Sequence, residues 1–216
     1  MNLDEVTPIA RLLSEPEIIV VPTRSRFRSL DDLLSTWKSH PRRVAVGGGS
    51  SPGGPDFLAP HLLAEAVGID PREVDYNQYD GGGPLLAALL DGEVDVAVSG
   101  VGEYADQIRT GPVRVLAVTS GERIADFDAP TLVEQGVNLE FVNWRGLVAP
   151  PGLTAEQRAT LIGLVVSMHD SEAWSRAAKA NGWDDTFLTG HAFDRFLRQE
   201  SDRVAAVMTE LGFQNN

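Results

Sequence analysis

The 216-residue sequence has no cysteine, few basic residues and no long apolar run. The absence of cysteine excludes thiol catalysis, disulfide bonds and Cys-ligated zinc or iron–sulfur sites. With 18 Lys and Arg against 31 Asp and Glu, the formal net charge is −13, which argues against nucleic acid as a partner. No apolar run approaches the roughly 20 residues of a membrane helix, and the N-terminus MNLDEVTPIARLL lacks the residue order of a signal peptide.

Strand and helix patterns alternate along the first part of the chain. Strands are predicted where β-branched residues cluster, at Glu17–Val21, Val44–Val46, Val74–Tyr79, Val94–Val98 and Val113–Thr119. Helices are predicted between them, at Leu30–Ser39, Leu58–Gly68, Leu85–Asp91 and Glu103–Thr110. This alternation predicts an α/β fold in which helices flank the sheet and a ligand binds beyond the carboxyl ends of the strands.

The rest of the chain has a different pattern. A short helix is predicted at Pro130–Gln135 and an extended segment at Leu139–Val148. Thr154 and Gln157 have the spacing of a capping box, which predicts the start of a helix. Two more helices are predicted by their apolar spacing, at Asp170–Ala180 and Ala192–Leu211.

Three glycine-containing segments follow predicted strands, at Gly47–Ser51, Gly81–Gly83 and Ser99–Gly102. Each places backbone N–H groups between a strand end and a helix start, where the helix dipole favours an anion. A charge-assisted hydrogen bond contributes about 1.5–3 kcal/mol, so three or four of them would hold a carboxylate with roughly micromolar affinity. The alternative for each segment is that its glycines serve only to form a tight turn.

The first glycine segment also raises an enzyme hypothesis. Gly49-Ser50-Ser51-Pro52-Gly53 matches the G-x-S-x-G nucleophile elbow, with Ser51 as the nucleophile of a small-molecule hydrolase. In that motif the residue after the serine donates its N–H to the oxyanion, and Pro52 has no N–H. Because losing one such donor costs about 3 kcal/mol of transition-state stabilisation, we favour a binding protein without catalysis over the hydrolase.

The spacing of residues does not support a nucleotide or metal site. Pro52 stands where the dinucleotide motif needs its third glycine, and Gly54 and Pro55 replace the Lys and Ser or Thr of a P-loop. The four histidines have no partner at a metal-ligand spacing, and we expect them at the surface or at helix ends. We therefore expect no cofactor and no metal, and a structural role for Asp95.

Several blocks of sequence resemble, in the same order, one family of transport proteins. They are Tyr79–Pro84 (YDGGGP), Gly92–Val96 (GEVDV), Val115–Ser120 (VLAVTS), Ala129–Leu132 (APTL) and Trp144–Gly152 (WRGLVAPPG). These blocks resemble the solute-binding receptors of tripartite tricarboxylate transporters, also called the TctC or Bug family. The resemblance extends from about Glu5 to Phe213.

The resemblance implies a type 2 periplasmic-binding-protein-like fold with two lobes, each a central sheet flanked by helices. Residues 1–21 and 141–216 would form part of lobe 1, and residues 22–140 would form lobe 2. Lobe 1 would be incomplete, because the family's signal sequence and first strand-loop-helix unit have no counterpart in this chain. The resemblance therefore implies an N-terminally truncated family member.

The resemblance also implies a function in transport. The protein would capture a small organic carboxylate, such as a di- or tricarboxylate, by hinge closure and pass it to membrane transporter subunits. It would be extracytoplasmic, in the periplasm or anchored at the cell surface, although this chain shows no signal peptide. The alternative is a fragment that binds no ligand and is stable only as a homo-oligomer, because an incomplete lobe exposes sheet edge and apolar surface.

The expected ligand-binding residues come from the resemblance and from the glycine segments. By resemblance, the ligand's carboxylate would contact the segment Gly48–Ser51 and also Tyr79, Gly81 and Gly82, while Ser99 belongs to the third segment. Asp80 departs from the family's usual lysine, and Arg145 stands where an aromatic residue is usual. Arg145 would replace the lost cation or, alternatively, is a surface charge. The full set is Gly48, Gly49, Ser50, Ser51, Tyr79, Gly81, Gly82, Ser99 and Arg145.

Overall fold

A computed structural model of the protein describes residues 5–124 and 128–212. The chain forms two compact units. Nearly all of the first unit, which we call the glycine-loop unit, is Pro16–Asn143. The second, which we call the terminal unit, combines the residues up to Glu15 with Trp144–Thr209. The lobe boundaries at residues 21 and 141 stay a prediction.

The first strand, β1 (Thr7–Pro22), is 16 residues long and contributes to both units. Its residues up to Ser14 pair antiparallel with β7 (Asp184–Thr189), and its residues from Glu17 onward pair with strands of the glycine-loop unit. Pro16 lies between the two sets of pairings, where its missing N–H removes no ladder hydrogen bond. The sequence predicted only the second half of this strand, because polar residues before Pro16 interrupt the apolar pattern.

The glycine-loop unit is built on a sheet with the strand order β3-β2-β4-β1-β5. Beside β1 it contains β2 (Ala45–Gly48), β3 (Asp75–Gln78), β4 (Val96–Gly100) and β5 (Val113–Val118). Strand β2 is parallel to β3 and β4, whereas β1 is antiparallel to β4 and β5. The carboxyl ends of β2, β3 and β4 therefore lie at one edge of the sheet, where α/β proteins place their ligand sites.

Four helices connect these strands: α1 (Leu30–Ser39), α2 (Pro55–Ala66), α3 (Gly82–Asp91) and α4 (Val101–Thr110). The predicted limits of α1 are confirmed, and the hydroxyl of its N-cap, Ser29, accepts the Asp32 N–H at 3.1 Å. Helices α3 and α4 contribute Leu85, Leu89 and Tyr104 to a buried cluster that also contains side chains of β1. Burial of these apolar faces fixes both helices, and so their N-termini, against the sheet.

The terminal unit contains most of β6 (Val142–Ala149) and of α7 (Gly190–Glu210), together with α5 (Ala155–His169), α6 (Glu172–Asn181) and β7. Strand β6 pairs with β1. Phe193 and Leu197 of α7 are buried, and the Trp144 ring meets the Phe193 ring edge-on at 6.2 Å between centroids. The capping box of Thr154 and Gln157 is confirmed at the start of α5.

Several large apolar side chains of the terminal unit are exposed. Leu164 on α5 is 63% exposed, and the described residues of α5 and α6 include none that is buried. Leu147 and Val148 of β6 are also exposed. A homo-oligomer that covers such surface stays a prediction. Within residues 5–124 and 128–212, no helix combines the length and the apolarity that crossing a bilayer requires.

Helices α2, α3 and α4 start two or three residues earlier than predicted, and two further elements differ in kind from the sequence prediction. Strand β7 was missed, because its sequence DDTFLT begins with two aspartates and shows little alternation of polar and apolar residues. The predicted helix Pro130–Gln135 contains only the 3₁₀ helix Val133–Gln135, which Gly136 ends with a φ of 80°. A left-handed φ of this kind is favourable for glycine and stops a helix after a single turn.

His61 is buried on α2, so the expectation of surface or helix-end positions is wrong for this histidine. Its ring stacks on Phe57 with 4.1 Å between ring centroids, and its Nδ1 donates to the Phe57 carbonyl at 2.6 Å. Burial lowers the pKa of His61 below its usual value, and the hydrogen bond to Phe57 opposes this shift only in part. The folded protein therefore favours the neutral imidazole.

We expect the free energy of unfolding to fall as the pH drops through about 6.5, the ordinary pKa of histidine. The unfolded chain then binds a proton that folded His61 binds less readily, so acid favours unfolding. In urea unfolding at about pH 7.5, 6.5 and 5.5, His61→Phe should show a shallower pH dependence than wild type. His40→Phe changes an exposed histidine and should keep the wild-type slope. Equal slopes for all three proteins would contradict this prediction.

Candidate functional site

Three helices start at the edge where the parallel strands end, and each has a glycine as its N-cap. Gly54 precedes α2, Gly81 precedes α3 and Gly100 precedes α4, and none of them supplies a side-chain hydrogen bond. In contrast, α1, α5 and α6 have serine or threonine N-caps whose hydroxyls accept a backbone N–H. The first N–H groups of α2, α3 and α4 therefore have no cap side chain as their acceptor.

The first predicted segment is partly strand, because Gly48 is the last residue of β2. A Cβ on Gly48 would collide with the hydroxyl of Tyr76, which donates to the Ser50 carbonyl at 2.7 Å. The glycine at position 48 thus allows Tyr76 to lie against the strand and to hold the loop that follows.

The loop from Gly49 to Ser51 is held by three further hydrogen bonds. The Gly49 N–H donates to Asp56 Oδ2 at 2.7 Å, and the Ser50 hydroxyl accepts the Phe57 N–H at 3.3 Å. The Gln78 side-chain amide donates to the Ser51 hydroxyl at 3.1 Å. The Gly49 N–H and the Ser50 hydroxyl therefore have partners within the protein, and the Ser51 hydroxyl keeps its own proton to donate.

The second segment is joined to the first by backbone hydrogen bonds. The Tyr79 N–H donates to the Gly48 carbonyl at 2.9 Å, and the Gly81 N–H donates to the Gly49 carbonyl at 3.2 Å. The Tyr79 hydroxyl contacts Glu93, which follows the other end of α3, with 3.4 Å between the oxygens. Tyr79 thus contributes to the edge through its backbone, while its hydroxyl is directed elsewhere.

Gly81 adopts a backbone conformation that glycine alone adopts readily, with φ 84° and ψ −179°. This conformation turns the chain directly into α3. In the part of the chain that the structure describes, no carbonyl or side chain accepts the N–H groups of Gly82 and Gly83. These two donors lie at the positive end of the helix dipole, where a carboxylate binds favourably.

The third predicted loop, Ser99–Gly102, is wrong. Ser99 and Gly100 belong to β4, and α4 begins at the next residue, so no loop separates the two elements. The sequence favoured a loop because Gly100 and Gly102 have low intrinsic strand and helix propensities. Ser99 is fully buried, and its hydroxyl donates to Glu103 Oε2 at 2.8 Å.

Four residues at this edge were not expected from the sequence: Asp56, Tyr76, Glu103 and Tyr104. Both acids lie in the first turn of a helix that starts with a glycine cap. Tyr104 donates its hydroxyl proton to the Gly82 carbonyl at 3.1 Å. The signal that would have found the acids is a carboxylate two or three residues after the glycine cap that follows a strand.

The pKa values of Tyr76 and Tyr104 reflect the burial and the negative charge near the carboxyl ends of β2, β3 and β4. Burial raises the pKa of Tyr104 well above its usual value, and the carboxylates of Glu103 and Asp56 raise it further. Burial likewise raises the pKa of Tyr76, with a further contribution from Asp56. Both hydroxyls therefore remain protonated donors at neutral pH, and the surroundings of the glycine segments carry negative charge.

Arg145 belongs to the terminal unit, unlike the other expected ligand-binding residues. Its guanidinium forms an ion pair with Glu15 at 2.5 Å, and the Glu15 side chain is only 6% exposed. A carboxylate this buried requires a cationic partner, so the ion pair gives Arg145 a structural role within its unit. A role for Arg145 in binding a ligand stays a prediction.

The edge offers hydrogen-bond donors and carboxylates rather than a catalytic group. Ser51 has the amide of Gln78 as its partner, and an amide is not a base that could activate a nucleophile. The described residues contain no group of three or more His, Asp or Glu side chains arranged to hold a metal ion. What the edge can do is bind a small polar ligand through backbone N–H and hydroxyl groups.

Solved structures of similar shape show the fold. Rpa4515 of R. palustris, solved with adipate, has a TM-score of 0.83 and 24% identity over 96% of this chain and 69% of that chain. The periplasmic binding protein BugD has a TM-score of 0.83 and 21% identity over 98% of this chain and 71% of that chain. The predicted α/β fold of the periplasmic-binding-protein type is therefore confirmed.

Sequence comparison shows the family. BugT of Bordetella pertussis is 28% identical over 214 residues, which are 97% of this chain and 64% of BugT. The chain spans less than two thirds of the length of the curated relatives it matches. The model of the tripartite tricarboxylate transporter family receptor, TctC, matches residues 1–213. Its members are solute-binding receptors rather than enzymes, which overturns the hydrolase hypothesis for Ser51. This chain belongs to the TctC receptor family of tripartite tricarboxylate transporters.

Proposed function

We propose that this chain captures a small organic carboxylate and delivers it to the membrane subunits of a tripartite transporter. Family membership supports the receptor role, and a structure of the same fold was solved with the dicarboxylate adipate. We propose that the protein is extracytoplasmic, in the periplasm or at the cell surface. This localisation agrees with that of BugD, which is described as a periplasmic binding protein.

The observation that carries this proposal is the pair of N–H groups at the start of α3. Gly82 and Gly83 follow a glycine cap, and in the described residues their N–H groups have no acceptor. Two adjacent amides at a helix N-terminus match the two oxygens of a carboxylate, and each bond to a charged group contributes about 1.5–3 kcal/mol. We propose that this pair binds one carboxylate of the ligand.

The neighbouring loop supplies the rest of the proposed site in this unit. The Ser51 hydroxyl keeps a proton to donate, and its loop is joined to the start of α3 through the Gly81 N–H and the Gly49 carbonyl. Because these contacts hold the two segments together, little conformational entropy is lost when a ligand binds. We propose that Gly49, Ser50 and Ser51 contact the ligand beside its carboxylate.

A thermal-shift screen tests the proposed function. The panel contains succinate, malate, aspartate, adipate, tricarballylate and citrate, and sodium chloride at matched ionic strength controls for salt. At least one acid should raise the melting temperature, because a ligand that binds only the folded protein stabilises it by mass action. Isothermal titration should then give a dissociation constant in the micromolar range or below. The absence of a shift with every acid would overturn the proposal.

A further inference from the structure

Two side-chain carboxylates lie beside the segments to which we propose that the ligand's carboxylate binds. Asp56 is 8% exposed and accepts the Gly49 N–H at 2.7 Å. Glu103 accepts the Ser99 hydroxyl proton at 2.8 Å, and its Oε2 lies so close to Gly82 that a Cβ there would collide with it. Glu103 therefore lies beside the amides that we propose as the carboxylate site.

Asp56 also lies close to the start of α3, because a Cβ on Gly49 would be 3.0 Å from both Asp56 Oδ2 and Gly81 Cα. Tyr104 donates to the Gly82 carbonyl at 3.1 Å, which places its hydroxyl beside the start of α3. Within residues 5–124 and 128–212, no Arg, Lys or His forms an ion pair with Glu103.

A ligand that offers only carboxylate oxygens would place a negative charge beside Glu103, and like charges in contact repel each other. The Ser99 hydroxyl does not relieve this repulsion, because its proton is already given to Glu103. A ligand with a hydroxyl or ammonium group near its carboxylate would instead donate to Glu103. The unfavourable contact then becomes a charge-assisted hydrogen bond.

We infer that this receptor selects carboxylic acids that carry a hydroxyl or an ammonium group next to the bound carboxylate. In this inference the Glu103 carboxylate accepts a hydrogen bond from that group. The inference rests on the proposed carboxylate-binding function. It adds a ligand class and a specificity-determining residue. Ser99 acts as a positioning residue, because its hydroxyl holds the Glu103 carboxylate toward the start of α3.

Two matched series of acids test the inference by isothermal titration at constant ionic strength. Succinate, malate and aspartate share a four-carbon dicarboxylate skeleton and differ in having no donor, a hydroxyl or an ammonium group. Tricarballylate and citrate differ in the same way among tricarboxylates. The wild-type protein should bind a donor-bearing acid at least about tenfold more tightly than its unsubstituted partner, as one hydrogen bond to a charged group provides. Comparing the affinities of malate and aspartate shows whether a hydroxyl or an ammonium group is preferred.

Variants of α4 show whether Glu103 is responsible. Glu103→Ala should reduce the preference to about threefold or less without weakening the unsubstituted acid, since the repulsion disappears with the hydrogen bond. Glu103→Gln keeps the size of the side chain but removes its charge. It should lower the preference for aspartate over succinate more than the preference for malate over succinate. Asp106→Ala removes an exposed acid of the same helix that pairs with Arg109, and should leave the preference unchanged.

Each other outcome overturns the inference in a recognisable way. Equal affinities within both series, or an unchanged preference in Glu103→Ala, would show that Glu103 does not accept a hydrogen bond from the ligand. Tighter binding of all acids by Glu103→Ala would show that Glu103 only competes with the ligand's carboxylate. If adipate or another unsubstituted acid binds best, the inference fails while the proposed function stands. If no acid in the panel binds, both fail together.

Discussion

Replacing Trp37 with alanine is expected to lower the free energy of unfolding by about 3–5 kcal/mol, the range for truncating a buried aromatic side chain. Trp37 is 1% exposed and lies on the buried face of α1 with Leu30, Leu33 and Leu34. The truncation removes the largest apolar surface of this helix and leaves a cavity that close-packed neighbours fill only in part. Urea unfolding followed by far-UV circular dichroism measures the change.

Trp37→Phe is the matched control for this prediction. The indole N–H of Trp37 is buried and has no acceptor among the described residues. Phenylalanine keeps most of the apolar contact and removes this unsatisfied donor, so its cost should be less than half that of Trp37→Ala. A loss below about 1 kcal/mol for Trp37→Ala would show that α1 contributes little to the stability of its unit.

Replacing Gly81 with alanine is expected to weaken carboxylate binding by about tenfold or more. Gly81 has φ 84° and ψ −179°, a region in which a side chain costs about 1–3 kcal/mol of strain. A Cβ at this position meets no atom within 4 Å, so the cost comes from the backbone and not from a clash. Relief of this strain would rotate the peptide that leads into Gly82 and Gly83 and would misdirect their N–H groups. Titration with the best acid of the panel measures the loss.

Gly92→Ala separates this effect on binding from a general loss of stability. Gly92 ends the same helix in the left-handed conformation, with φ 85° and ψ 21°. Alanine there should lower stability by about 1 kcal/mol, because the left-handed region is also unfavourable for a side chain. Its carboxylate affinity should match the wild type, since the change lies at the far end of α3. If both variants lose affinity equally, the start of α3 is not the binding site.

Features set by neighbouring residues were predictable from the sequence. The limits of α1 and the capping box of α5 were correct, because a cap and its partner are three residues apart and their bond needs no tertiary contact. The alternation of strands and helices was sufficient to predict the α/β class. The family followed from ordered blocks such as YDGGGP, which the family match over residues 1–213 confirms.

Features set by distant residues were not predictable in the same way. The antiparallel pairing of β1 joins Ile18 to Ser99 and Val118. A short apolar run does not show whether its strand will pair parallel or antiparallel with its neighbours. The burial of His61 depends on Phe57 and Tyr76, whose rings surround it in the folded unit. The sequence around a polar residue on a helix does not show which side chains a distant strand will place beside it.

The sequence by itself determined the family, the α/β class and the glycine segments that follow β2 and β3. Only the tertiary structure showed that two of the expected donors already have partners within the protein, because Gly49 donates to Asp56 and Ser99 donates to Glu103. It also placed the carboxylates of Asp56 and Glu103 beside the start of α3, although 47 positions separate the two acids in the chain. Hydrogen bonds and charge interactions act over a few ångströms, so their partners are settled when the elements pack, not by order along the chain.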